Sequence, residues 1–162
     1  MQIVDGLLRI KRIRESAREQ DVLRERRALD AATEALERAV EYRRRRDEAR
    51  QAQEQQMVAR LCAGPVNVRE IEWTRVDIDG LRQEADKDRT EEESVRLRRE
   101  EARDVLRAAQ QVHRAAVRAS EKFQLMADRE RVSRLEAMER QADLELEEFK
   151  VRVPEVELEE MA

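Results

Sequence analysis

A chain of 162 residues, 44% charged and only 2% aromatic, lacks the large apolar side chains that fill a globular core. Its net charge of −4 gives no drive for general nucleic-acid binding, and a single cysteine, Cys62, excludes an internal disulfide and suits a reduced compartment. Disorder is disfavoured in turn, because Gly and Pro number only three and two while the helix formers Ala, Leu, Glu, Arg and Gln abound. What remains is an all-α protein: a long antiparallel two-helix coiled-coil hairpin, which needs only a narrow apolar seam.

In chain order, Met1 to Leu8 offers no signal peptide, since charges begin at once and no cleavage site follows. No later stretch is long and apolar enough to span a membrane. The first helix is predicted from about Ile3 to Cys62. Ile3, Leu7, Ile10 and Ala17 follow a 4–3 spacing interrupted by Arg14, and Leu29, Ala32, Leu36 and Ala39 resume it in a shifted frame. Arg43 to Arg46 form a run of four arginines flanked by Glu41, Asp47 and Glu48, which reads as a solvated helix surface. Met57, Val58 and Leu61 restore an apolar face.

Gly64-Pro65-Val66-Asn67 is the one strong interior break, because Gly frees the backbone while Pro removes a donor and restricts its predecessor. The turn is predicted over 63–67. The second helix should run from about Val68 to Lys150, longer than the first, with an acidic tail over 151–162. The whole reads as one domain, 1–162. Ile71, Ile78 and Ala85 form one row. Ala102, Val105, Ala109, Val112, Ala116, Ala119, Phe123 and Met126 make an unbroken 3–4 series. Folding about the turn pairs residues whose numbers sum to about 130, so Leu7 should meet Phe123, Leu29 Ala102, Leu36 Val95, Ala49 Leu81 and Ala52 Ile78.

At ~1.5 Å per residue the helices would be ~90 Å and ~125 Å long, leaving about 20 residues of the second overhanging from near Asp128. The overhang carries Leu135, Met138, Ala142 and Phe149, an apolar stripe that invites a partner. Arg9 to Arg27 holds eight basic and four acidic residues, a basic collar suited to an acidic partner.

No catalytic constellation is present. There is no Gly-rich phosphate loop, and His113 lacks companions for a metal site. Cys62 lacks a neighbouring base, so it reads as a structural thiol and the chain as a non-enzyme with no cofactor. Trp73, near the tip of the hairpin, either plugs the tip or contacts a partner.

Two stretches carry a resemblance. A basic start, Leu7-Leu8-Arg9-Ile10-Lys11-Arg12-Ile13-Arg14, opens the first helix, and Leu61 to Trp73 turns the chain, with Leu81-Arg82-Gln83-Glu84 beyond. Together with the length, this resembles the central stalk proteins of bacterial type III secretion systems, the YscO (SctO) family related to flagellar FliJ. The resemblance implies a cytoplasmic coiled coil, peripheral to the inner-membrane apparatus, that couples the hexameric secretion ATPase to the export gate and also binds secretion chaperones. It implies an ATPase-end surface, for which Leu7, Arg9, Ile10, Arg12, Arg14, Phe123 and Met126 are the candidates, and a gate-end surface, for which Arg69, Trp73 and Val76 are. It implies neither nucleic-acid binding nor direct membrane insertion. The alternative reading is a coiled-coil scaffold or chaperone-like binder of amphipathic partners.

Overall fold

The computed structural model describes residues 2–152. Met1 and most of the expected acidic tail, Val153 to Ala162, lie outside the described residues. Two helices, α1 (Gln2–Cys62) and the longer α2 (Val68–Arg152), form an antiparallel helical hairpin. Neither helix contains a proline, and pairs one turn apart, such as Glu41 with Arg45 and Arg44 with Glu48, support their exposed surfaces. The chain divides into two compact units: a terminal unit of residues 1–17 and 113–162, and a loop unit of residues 18–112.

In the loop unit, Asn67 caps α2. Its side-chain oxygen accepts from the Arg69 N–H at 3.3 Å, while the Glu70 carboxylate accepts from the Asn67 N–H at 3.2 Å. This reciprocal pair satisfies two donors that a helix start leaves open. Gly64 does not adopt a left-handed backbone, and a side chain there would meet open space. Pro65, rather than Gly64, therefore carries the break, because it cannot continue α1.

The seam of the loop unit alternates threes and fours. On α1 it passes through half-buried Val22, Glu25, Leu29, Ala32, Leu36, Ala39 and Arg43, then buried Arg50 and half-buried Glu54, Met57 and Leu61. On α2 it passes through Thr74, Ile78, Leu81, Ala85, Asp88, Glu92, Val95, Arg99, Ala102, Leu106 and Ala109. The expected rows Leu29 to Ala39 and Ile78–Ala85 lie on it. Ile71 and Val105 do not, at 50% and 49% exposure.

In the terminal unit the seam is Val4, Leu8, Lys11 and Glu15 against His113, Ala116, Ser120, Phe123, Ala127 and Glu130. Leu8 and Ala127, at 5% and 2% exposure, are the buried apolar residues of the described chain. The expected row of Ile3, Leu7 and Ile10 lies one position off this seam and is exposed. Both units follow one 3–4 numbering, so the anticipated frame shift in the first helix is absent. The break is a polar stretch of seam, where Lys11 and Glu15 stand at positions an apolar search skips and the next position, Arg18, is exposed.

The register also differs from expectation. Cross-helix pairs include Asp5 with Arg131, Arg12 with Gln124, Glu15 with Ser120, and Arg43 with Glu92, all with numbers summing to about 135. That is offset from the predicted pairing by about four residues, roughly one helical turn. Hence Leu7 is not set against Phe123, and Ala49 and Ala52, expected opposite Leu81 and Ile78, are exposed. The offset is accommodated at the turn, where Leu61, Val66, Glu70 and Thr74 line one groove. The loop runs on past the end of α1, so the first turn of α2 lies beside the loop instead of beside α1.

Candidate partner interface

A charged stretch fills part of the loop-unit seam. Arg43 and Arg46, half of the supposedly solvated run, turn inward, while Arg44 and Arg45 stay 69% and 77% exposed at the side chain. Arg46 reaches Asp88 at 2.8 Å and Glu84 at 3.3 Å, Arg50 pairs with Asp47 and Asp88, and Arg43 pairs with Asp47 and Glu92. The Glu92 hydrogen bond, then that of Asp47, pushes the Arg43 guanidinium further towards its charged form. Each inward cation is matched by an α2 carboxylate, so this seam is neutralised within the unit and offers little to an outside partner. It fixes register instead: a one-turn slip would leave buried charges unmatched.

The terminal unit has a different character on its two sides. Arg12 donates to the Gln124 side chain at 2.5 Å, and Asp5 meets Arg131 at 3.4 Å. Each of these four residues follows a seam residue by one position, so that side is laced with polar pairs. Residues one position before the seam meet on the opposite side of an antiparallel pair. There α1 places Ile3, Leu7, Ile10 and Arg14, and α2 places Ala119 and Met126. Ile3, Leu7, Ile10 and Met126 are 77%, 39%, 47% and 45% exposed. Among the described residues, Arg9, Arg14, Lys122 and Arg129 form no ion pair.

The seven residues expected at the ATPase end therefore separate into three groups. Leu7, Ile10, Arg14 and Met126 share the apolar side. Arg9 and Arg12 line an open groove of about 530 Å³ with Asp5, Leu8, Ile13, Ser16 and Arg131. Phe123 lies in the seam, with the Lys11 ammonium 5.3 Å from its ring centroid. Leu8 and Lys11 were missed by sequence reasoning. Adjacent leucines made two apolar rows equally readable, and a lysine whose stem packs while its head reaches out carries no hydrophobic signal.

The three residues expected at the gate end come together. Arg69, Trp73 and Val76 stand one turn apart on α2, on the surface turned from the seam residues Thr74 and Ile78. Trp73 is 66% exposed and Val76 68%. Trp73 thus does not plug the tip. Val66, Val68 and Ile71 extend the exposed apolar area at 40%, 68% and 50%.

Beyond Glu130 the side chains of α2 are exposed through Phe149. The overhang starts near Ser133, later than expected, because the register carries Arg131 level with Asp5. Its stripe is Leu135, Met138, Ala142, Leu146 and Phe149, of which Leu146 was not anticipated. No cluster of metal-ligating side chains and no helix long and apolar enough to cross a membrane occurs among the described residues. Cys62 is exposed at the end of α1.

An antiparallel helical hairpin with ungrouped chemistry and uncovered apolar stripes defines a class of coiled-coil interaction proteins. The type III secretion protein YscO family matches residues 4–152, and the chain belongs to that family and has a role in type III secretion. Among solved structures, the crystal structure of the type III secretion protein YscO from Vibrio parahaemolyticus is similar, with a TM-score of 0.82 and 26% identity over 91% of this chain and 92% of that one. No curated protein matches.

Proposed function

We propose that this chain is the central stalk of a type III export apparatus, joining the hexameric secretion ATPase to the export gate and also holding secretion chaperones. The observation that carries this reading is the apolar side of the terminal unit, where Leu7, Ile10 and Met126 are uncovered beside Arg14 and Lys122, which form no ion pair among the described residues. Apolar side chains rimmed by cations suit an acidic, partly apolar protein surface such as the mouth of an ATPase ring. At the tip, Arg69, Trp73 and Val76 supply an aromatic anchor with a cation beside it, the composition of an interface hot spot. The chain itself catalyses nothing in this scheme and works at the cytoplasmic face of the inner membrane.

The test is stimulation of the cognate ATPase by the purified chain. Arg9→Glu, Arg12→Glu and Arg14→Glu together should abolish stimulation while leaving binding of the export-gate cytoplasmic domain intact. Trp73→Ala with Val76→Ala should do the reverse. Full stimulation by the triple variant would contradict the assignment of the terminal unit.

A further inference from the structure

The terminal unit carries two exposed apolar rows with opposite electrostatics. One is the overhang stripe Leu135, Met138, Ala142, Leu146 and Phe149. Spaced by three, four, four and three residues, these side chains fall within about a quarter of the helix circumference. Residues 135–149 contain six acidic residues and one basic one. The other row is Ile3, Leu7 and Ile10 with Met126 alongside. Arg14, Lys122 and Arg129 border this row without ion pairs among the described residues, whereas Arg9 and Arg12 line the groove on the other side.

The two rows are opposite in charge, and the overhang stripe, about 21 Å of helix, is long enough to cover the row from Ile3 to Ile10, about 10 Å of helix. They cannot meet within one chain: α2 is one continuous helix through Arg152, so the overhang runs on beyond the start of α1. Two overhang stripes placed together would set acidic flanks against acidic flanks, which disfavours that pairing.

We propose that the acidic overhang of one chain seats on the basic apolar side of the terminal unit of a second copy, and reciprocally, giving a two-fold homodimer. Each interface then buries Leu146 and Phe149 of one copy near Leu7 and Ile10 of the other, with Glu139 and Glu145 among the basic residues. A reciprocal arrangement uses both rows of both chains and closes, as two-fold dimers do. Salt weakens it, because the matching charges lie at the solvent-facing rim.

Sedimentation equilibrium of the full chain tests this. Monomer and dimer should coexist in the micromolar range, with dimerisation weakened about tenfold between 0.05 and 0.5 M salt. Leu146→Glu with Phe149→Glu should abolish the dimer, as should Ile3→Glu with Ile10→Glu. All four positions are exposed, and an unchanged helical circular-dichroism signal will show that the hairpin persists. Mixing the two variants should restore a dimer, because one intact overhang then meets one intact basic side. Failure of the mixture to dimerise would overturn the reciprocal arrangement, as would a chain that stays monomeric at 100 μM. Dimers surviving in both variants would overturn it too.

Discussion

Leu7 and Leu8 are neighbours in sequence and opposites in the fold. Leu8 is 5% exposed in the seam, whereas Leu7 is 39% exposed on the apolar side. Leu8→Ala should lower unfolding stability by about 2 kcal/mol, since it leaves a cavity opposite Ala127. Leu7→Ala should cost less than about 1 kcal/mol, being a surface truncation. Denaturant titrations followed by circular dichroism will separate them, and equal losses would mean that the seam frame is misplaced. This pair also shows where a single sequence runs out. Helical spacing identifies apolar rows but cannot choose between two adjacent ones when Lys11 and Glu15 occupy the seam. The choice is made by what stands opposite, Ser120 for Glu15 and Phe123 for Lys11.

At the scale of the element, both helices were legible because nothing inside them breaks helix, and Pro65 sits where the chain turns. The charged seam was not legible, because a run of four arginines reads as surface until carboxylates on another helix are known to face it. Its energetics are asymmetric. Arg50→Ala leaves Asp88 with Arg46 as its remaining partner beside a half-empty seam and should destabilise the hairpin by about 1 kcal/mol. Replacing Arg50 and Asp88 together by leucine should restore most or all of that stability, because an apolar pair needs no desolvation of charge. Thermal melts of the single and double variants check this. A double variant no better than the single one would show that the ion pairs supply net stability rather than register alone.

At the scale of the whole molecule, composition sufficed for the fold class: so charged a chain, so poor in aromatics, can bury only a narrow stripe. The two apolar surfaces differ in how plainly the sequence displays them. Arg69, Trp73 and Val76 could be read from the sequence because they follow a plain one-turn spacing outside any seam. The terminal surface is not a single collar but two-sided, one side polar and paired, the other apolar and bordered by cations that form no ion pair among the described residues. That difference follows from the register. A loop that runs on past α1 moves every α2 residue along by about one turn, and it decides which side chains face a partner. Register is therefore the quantity on which the partner assignments rest.

Disulfide trapping measures it directly. In a Cys62→Ser background, Glu15→Cys with Ser120→Cys should oxidise readily to an intramolecular disulfide at low protein concentration, since these two side chains touch across the helices. Glu15→Cys with Ala115→Cys, the pairing that a fold-back centred on the turn would give, should remain reduced. Rapid closure of the 15–115 pair with none of the 15–120 pair would contradict the register, and with it the surfaces assigned here.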